Sequence, residues 1–236
     1  YDGTQWNVAS ALFGAKNGIP PEASAKNNIS NRMIKDRATF AESIDIAKEL
    51  MDWNNAKYFV AHNCSYDQAV ISAGFISASC NKDVMIAQDS KRWICTHRLA
   101  KQLITYDFKD MQYNLSFLRY KLDLPVPDDL GAHRAGADTL TCALLFEFLV
   151  DYAIANGVIV VASAGNSGSK GMGFPGAYAP VISVAAAGWT GEWTSVATPG
   201  SWWRSIDVAE NGTADAYMTS FSSRQLSGQQ LDVAAP

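Results

Sequence analysis

The stretch that decides the fold is Lys57-Tyr-Phe-Val-Ala61 followed by His62-Asn-Cys-Ser-Tyr-Asp67. Its first half is a short run of β-forming residues, typical of a buried strand, and its second half begins as a polar loop. Residues 66–76 then have a helical pattern. The segment therefore predicts a strand that leads into a helix, which indicates an α/β protein.

Predicted helices and strands continue on both sides of this segment. Residues 39–53 carry apolar side chains every three or four positions, which predicts a helix. Residues 77–92 are polar and variable, and we interpret them as an excursion from the fold. The other predicted elements of this part are a helix starting at Glu22 after two prolines, a strand at 93–96, a helix at 97–104 and a helix at 114–122 capped by Asn114.

A long helix is predicted to begin near Ala135 and to end at Asn156-Gly157, because residues 138–155 contain neither proline nor glycine. Its predicted apolar side consists of Leu145, Phe148, Tyr152 and Ala155. The strands predicted after it are 158–162 and 181–186, with shorter runs at 217–222 and 231–234.

The overall composition excludes several classes of protein. Of 236 residues, 48% are hydrophobic and 18% charged, as expected for a chain that buries a core. The net charge of −4 provides no global basic surface for nucleic acid, but it does not exclude a nucleic-acid enzyme, because a metal site can hold phosphates locally. No apolar run approaches the length of about 20 residues that spans a bilayer, so no membrane segment is expected. The four cysteines lack the CxxC spacing of zinc sites and predict reduced thiols in a cytoplasmic protein.

The composition changes sharply near residue 148. Residues 1–148 contain 16 of the 19 Lys and Arg residues and every histidine and cysteine, whereas residues 149–236 are rich in Ala, Gly, Ser and Val. The change predicts two units of different origin, 1–148 and 149–236.

Three segments of the first unit carry a resemblance to one family. Phe59-Val-Ala-His-Asn-Cys-Ser-Tyr-Asp67 and Ala132-His-Arg-Ala-Gly-Ala-Asp138 resemble the second and third motifs of the DEDDh 3′→5′ exonucleases. Gly18-Ile-Pro-Pro-Glu-Ala-Ser-Ala25 is similar to the segment that follows their first motif. Within the family, the pattern is most like that of the exodeoxyribonuclease X type. The resemblance implies a truncated ribonuclease-H-like exonuclease fold.

The resemblance also implies a site and its chemistry. Asp67 and Asp138 would be metal ligands for Mg²⁺ or Mn²⁺, which prefer carboxylate oxygens. Two such ions about 4 Å apart activate water and stabilise the leaving oxygen in this type of hydrolysis. His133 would accept the proton of the attacking water. His62 and Asn63 are expected to shape the loop behind Asp67. The implied partners are single-stranded DNA or other nucleic-acid 3′ ends.

The sequence departs from the family at the first motif. That motif is Asp-x-Glu, and none of the 17 residues before Gly18 forms it. The implied set of four carboxylates is therefore incomplete, and we expect weak or absent exonuclease activity. Taken singly, Asp67 and Asp138 also suit the first turns of helices, and His133 also suits a surface position.

Residues 149–236 resemble a second family, the subtilisin-like serine peptidases. The segments that carry this resemblance are Gly157–Gly168, Pro175–Ala186, Ser220–Ser223 and Asp232–Pro236. It implies a partial subtilisin-like parallel α/β layer, with Asn166 as a side-chain donor to an oxyanion. Since no histidine follows His133, this part is expected to be a peptidase fragment without a catalytic triad. The fragment by itself suggests a secreted protein.

Three classes of function follow. The leading hypothesis is a metal-dependent 3′→5′ exonuclease, probed by metal titration. The alternatives are a subtilisin-like serine peptidase fragment, probed by a fluorophosphonate label, and a non-catalytic chimeric protein.

Overall fold

A computed structural model describes residues 6–104, 111–127, 130, 134–188 and 217–235 of the chain. It shows a mixed α/β protein that divides into two compact units. One unit comprises Val8–Leu149, and the other comprises Trp6, Asn7 and the chain from Val150 onward.

The first unit contains short helices around a pair of strands. Its strands are β1 (Phe59–Ala61) and β2 (Trp93–Cys95). Its helices are α1 (Pro21–Asn27), α2 (Asn31–Ile34), α3 (Ile44–Leu50), α4 (Cys64–Ser77), α5 (Asn81–Gln88), α6 (Thr96–Leu103), α7 (Leu115–Lys121) and the first part of α8 (Ala135–Ala155). The predicted strand–helix segment is confirmed by β1 and α4, and the predicted cap is confirmed because Asn114 Oδ1 accepts from the Phe117 N–H at 2.8 Å.

The two strands are parallel, with Phe59 opposite Trp93 and Ala61 opposite Cys95. Helices α4 and α5 form the connection between them. One core cluster of this unit lies beside β1, where the Trp53 ring stacks on Phe59 with centroids 4.7 Å apart and also contacts Phe75. Phe75 belongs to α4, so the core fixes the position of α4 relative to the strands.

Helix α5 corrects the interpretation of residues 77–92 as an excursion. Its small residue Ala87 is fully buried against Trp53 and Phe75, with Val84 and Ile86 packed on the same cluster. Tertiary contacts thus stabilise a segment whose own helical pattern is weak.

One acidic side chain of α5 also forms hydrogen bonds with residues from another part of the core. Asp83 accepts from the Trp53 indole N–H at 2.7 Å and from Lys48 Nζ at 2.6 Å. The partners lie about 30 residues earlier in the chain, on α3 and just after it. The carboxylate therefore connects α5 to the preceding helix.

The helix predicted over 39–53 is shorter in the structure, where α3 spans only Ile44–Leu50. At its start, the Glu42 carboxylate accepts from the backbone N–H and the hydroxyl of Thr39, which forms a turn. At its end, Asp52 adopts a left-handed φ of 47°. Local side-chain hydrogen bonds and this left-handed residue end the helix before the apolar pattern does.

The long helix α8 has the predicted bounds, and Gly157 follows it with a φ of 84°. The predicted apolar side is confirmed only in part: Leu145 is buried, and Phe148 and Tyr152 are half-buried. Ala155 is exposed, while the buried positions include Leu145, Leu149 and Ala153, which are four residues apart. Residues 138–155 are apolar on nearly every side, so the pattern alone does not select the buried face.

The second unit contains the last part of α8 and a four-stranded sheet. Its strands are β3 (Val161–Ser163), β4 (Ile182–Gly188), β5 (Tyr217–Met218) and β6 (Val233–Ala235). Strand β4 is central: β3 and β6 pair with it in parallel, and β5 pairs with it antiparallel. The strand predicted to begin at 158 begins at Val161.

A buried glutamine closes the loops of this sheet. Gln229 Oε1 accepts from the backbone N–H groups of Met172 and Leu226 at 2.9 and 3.1 Å. Its Nε2 donates to the Met172 carbonyl at 2.9 Å. Met172 lies in a small core with Ala164 and Ala177, so the glutamine satisfies backbone groups at the edge of that core.

Among the helices of the described residues, none combines the length and the apolar character needed to cross a bilayer.

Candidate functional site

The candidate site begins at the carboxyl ends of β1 and β2. Because the strands are parallel and Ala61 lies opposite Cys95, the residues that follow each strand emerge at the same edge. His62 and Asn63 follow β1, and Thr96 follows β2 as the first residue of α6. This edge brings together groups that are more than 30 residues apart in the sequence.

Asn63 turns the chain from β1 into α4. It adopts a left-handed conformation with a φ of 67°, which asparagine tolerates better than most residues. The turn places Asp67 in the first turn of α4, where its side chain is half-buried. Burial raises the pKa of the Asp67 carboxyl above its ordinary value, while a hydrogen bond from its own backbone N–H acts in the opposite direction. The ionised carboxylate is therefore costly in the absence of a cation.

His62 is fixed by both of its ring nitrogens. Nε2 lies 2.7 Å from the Tyr113 carbonyl oxygen, and Nδ1 lies 2.9 Å from Thr96 Oγ1. A carbonyl can only accept, so Nε2 carries a proton. Burial lowers the pKa of His62, which favours the neutral ring, and its bare Nδ1 then accepts the Thr96 hydroxyl proton. With both nitrogens in use, His62 is suited to hold the loop after β1.

Asp138 lies in the first turn of α8 and is half-buried. One helical turn further along, Cys142 brings its Sγ within 3.6 Å of Thr96 Oγ1. Burial raises the pKa of the Cys142 thiol to about 11, and the charge of Asp67 contributes in the same direction. The face of α8 that carries Asp138 and Cys142 therefore lies against the edge that carries Thr96 and Asp67.

Sequence reasoning missed Thr96 and Cys142, which join the elements of this site. Thr96 is fully buried, and its hydroxyl contacts both His62 and Cys142. The available signal was a hydroxyl residue at the end of the strand predicted at 93–96. His133 lies outside the described residues, so its predicted place is not part of this geometry.

The donor set suits a hard cation only in part. Asp67 and Asp138 offer carboxylate oxygens, which Mg²⁺ and Mn²⁺ prefer. Within the described ranges, no cluster of three or more His, Cys, Asp or Glu side chains could hold a metal ion. Asp67 and Asp138 are the residues that could hold one, and further ligands would have to join them.

The second unit places Asn166 on an exposed bend after β3. Gly165 before it has a φ of 105°, and Ser167 after it donates its backbone N–H to the buried Ser223 Oγ at 3.0 Å. Ser223 also donates its N–H to the Gly165 carbonyl at 2.8 Å. These two hydrogen bonds thus hold the bend on both sides of Asn166, and Asn166 itself is exposed to solvent.

Two family models match the chain, one in each part. The Exonuclease family model matches residues 13–146, and the Subtilase family model matches residues 113–236. Each match covers more than half of the chain. The chain therefore belongs to the exonuclease family in its first part and to the subtilase family in its second, with an overlap over residues 113–146.

Individual relatives are similar to the exonuclease part. Exodeoxyribonuclease 10 of Escherichia coli strain K12 is 27% identical over 151 residues, covering 63% of this chain and 57% of that protein. The 3′-5′ exonuclease DinG of Staphylococcus haemolyticus is 35% identical over 127 residues, covering 54% of this chain and 12% of that protein. The chain thus spans little more than half the length of exodeoxyribonuclease 10.

One solved structure is also similar, that of exonuclease X in complex with 5′ overhanging duplex DNA. It shares 25% sequence identity with a TM-score of 0.46, covering 67% of this chain and 80% of that chain.

Proposed function

We propose that the first unit is a metal-dependent 3′→5′ exonuclease domain with a ribonuclease-H-like fold, which hydrolyses phosphodiesters at nucleic-acid 3′ ends. The observation that carries the proposal is the half-buried Asp67 at the β1–α4 turn, opposite the face of α8 that carries Asp138. The match to the exonuclease family over residues 13–146 supports it. Single-stranded DNA is the proposed substrate.

The proposed roles follow from the chemistry of each group. Asp67 and Asp138 would hold Mg²⁺ or Mn²⁺, which when bound supplies an activated water and neutralises charge on the leaving oxygen. His133, five residues before Asp138, would accept the proton of the attacking water. His62 and Asn63 would position the turn that carries Asp67.

We also propose that the 236-residue chain taken alone has weak activity. Mg²⁺ requires about six oxygen ligands, and two carboxylates leave most of them to water or substrate. No third acidic, histidine or cysteine ligand joins them in the part of the chain that the structure describes. Weak metal binding would leave much of the chain without an activating ion at ordinary metal concentrations.

A test uses single-stranded DNA labelled at its 5′ end, so that 3′→5′ removal appears as a shortening ladder. We expect slow digestion that increases with Mn²⁺ concentration and falls to the metal-free level in Asp67→Asn and Asp138→Asn. Asp123→Asn is the matched control, because Asp123 is exposed after α7 and has a left-handed φ of 49° that asparagine accepts. Equal activity in all three variants would assign the digestion to a contaminant.

Asp67→Asn gives a second, independent prediction about stability. A carboxyl with a raised folded pKa loses stability as pH rises from its ordinary value of 3.8 through the folded value. At neutral pH without metal, Asp67→Asn removes this loss, so the variant should unfold at higher urea than the parent chain. At a pH below 3.8, the difference should disappear. A destabilised variant at neutral pH contradicts the assignment of Asp67 as a half-buried carboxyl whose ionisation is opposed by burial.

The match to the subtilase family over residues 113–236 supports a second candidate, a peptidase-like fragment. We propose that Asn166 is the oxyanion donor of its ancestor and that this part does not cleave peptides by itself. A fluorophosphonate label should leave the chain unmodified, whereas labelling of a single serine would favour a working peptidase. A chain inactive in both assays would be assigned to the non-catalytic chimera.

A further inference from the structure

Two cysteines meet beside the candidate site without belonging to it. Cys64 is the first residue of α4, and Cys95 is the last residue of β2, opposite Ala61. Both are buried, with 2% and 8% of their surfaces exposed. The two side chains lie in one buried cluster with Trp93, and both are reduced, as are Cys80 and Cys142. Two cysteine side chains are thus packed in the same cluster where the two strands end.

The surroundings of Cys95 stabilise a thiolate. Burial opposes its ionisation, but the backbone N–H groups of Cys64, Arg98 and Asn63 and the Arg98 guanidinium are directed at its sulfur. Together they lower the pKa of the Cys95 thiol to about 7. The same guanidinium lies 3.9 Å from Cys64 Sγ. A thiolate held in this way is the reactive form of cysteine.

The other two cysteines differ in ways that matter for reactivity. Cys142 is buried with a pKa raised to about 11, so it remains a thiol. Cys80 packs on the cluster of Trp53 and Phe75, away from the strand ends. Within the described residues, Cys64 and Cys95 are therefore the pair that combines a nucleophile with a second thiol in the same buried cluster.

We propose that Cys64 and Cys95 form a reversible disulfide when the chain meets a hydroperoxide. The Cys95 thiolate attacks a peroxide oxygen, which forms a sulfenic acid and releases hydroxide. The Cys64 thiol then attacks this sulfur, which forms the disulfide and releases water. Two thiols and one hydrogen peroxide thus give one disulfide and two waters.

The position of the disulfide gives it a consequence for the candidate site. Cys64 begins the helical turn that carries Asp67, and Cys95 immediately precedes Thr96. A disulfide requires a sulfur–sulfur separation of about 2.05 Å, so bond formation draws the β1–α4 turn towards β2. We expect it to shift Asp67 and to lower metal-dependent activity, a part of the inference that rests on the proposed function.

The test uses the full chain, reduced and then exposed to hydrogen peroxide. Maleimide labelling should show a loss of two of its four free thiols, restored by dithiothreitol. Peptide mapping without reduction should show a linked pair of peptides that contain Cys64 and Cys95. If all four thiols remain, if the linked pair contains Cys80 or Cys142, or if the loss is irreversible, the proposal is overturned.

Variants separate the two steps. Cys80→Ser is the matched control and should still lose two thiols. Cys64→Ser should stop at the sulfenic acid of Cys95, which dimedone captures, and capture at another cysteine counts against the proposal. Arg98→Gln should slow the loss of thiols severalfold. Since mass and thiol counts report the disulfide directly, absent digestion of DNA before oxidation refutes the nuclease proposal and leaves this one to its own result.

Discussion

Replacing Thr96 by Val tests whether one hydroxyl group positions the His62 ring behind Asp67. Valine has almost the volume of threonine, so the fully buried position stays filled and only the hydroxyl is lost. His62 Nδ1, now 2.9 Å from that hydroxyl, would lose its donor. A buried polar group left unpaired costs about 1–3 kcal/mol. We expect the free energy of unfolding of the first unit to fall by that amount.

The matched control is Thr96→Ser, which keeps the hydroxyl and loses one methyl group at a cost of about 1 kcal/mol. The expected losses of unfolding free energy for Thr96→Val and Thr96→Ser overlap at about 1 kcal/mol. The single variants therefore do not distinguish the loss of the hydroxyl from the loss of the methyl group. A double-mutant cycle with His62→Phe isolates the hydrogen bond between Thr96 and His62, because the loss of the other His62 contacts cancels in the cycle. We expect a coupling free energy of about 1 kcal/mol between T96V and H62F and almost none between T96S and H62F.

The pH dependence provides an independent assay of the same hydrogen bond. Because burial lowers the pKa of His62, the unfolded chain gains a proton that the folded chain resists, so stability falls as pH decreases below 6.5. Thr96→Val removes a donor to the neutral ring, which raises the pKa of His62 towards its ordinary value. The loss of folding stability below pH 6.5 should therefore be smaller in T96V than in T96S. Urea unfolding, monitored by hydrogen exchange of the first unit, measures the free energy of unfolding of each variant at each pH. Equal losses of stability in T96V and T96S at acid pH would falsify the assignment of the His62 proton to Nε2.

Two further predictions concern the cores. Asp83→Ala should lower the free energy of unfolding by about 1.5–3 kcal/mol because the buried Trp53 indole N–H loses a charged acceptor. Asp83→Asn keeps an acceptor and should lose less than half as much, and equal losses in urea unfolding would contradict this account. Gln229→Leu leaves two backbone N–H groups unpaired and should cost about 2–5 kcal/mol, whereas the neighbouring exposed Gln230→Leu should stay within about 0.5 kcal/mol. Thermal unfolding of the second unit compares the two variants. A Gln230→Leu variant as unstable as Gln229→Leu would show that the hydrogen bonds of the Gln229 side chain are not the cause of the loss.

The elements predicted from the sequence are those with strong local signals. The run of β-forming residues before His62 identifies β1, and Asn114 identifies the start of α7 through its capping side chain. Gly157 identifies the end of α8 because its φ of 84° is difficult for other residues. In each case, the deciding interaction lies within a few residues of the signal.

The elements that sequence reasoning missed depend on distant partners. Helix α5 has a weak pattern of its own and is stabilised by Trp53 and Phe75, which precede it in the chain. Thr96 joins the site through His62 and Cys142, which lie 34 and 46 residues away. No local window contains either relationship, so only the folded structure identifies them.

The helix α8 explains how one chain can match two families with overlapping ranges. The exonuclease match ends at residue 146 and the subtilase match begins at residue 113, so both include the first half of α8. A helix requires only residues with adequate helix propensity and apolar side chains at the buried positions. One helical segment can therefore satisfy the patterns of two families that differ elsewhere. Its first turns bring Asp138 and Cys142 to the candidate site, whereas its last turns bury Ala153 and lead through Gly157 towards β3. Leu145 and Leu149 in the first unit and Ala153 in the second are spaced four residues apart, so the buried positions of α8 form one continuous row along the helix. The buried row therefore shares Leu145 with the stripe that the sequence predicts, and then continues through Leu149 and Ala153 rather than to the exposed Ala155.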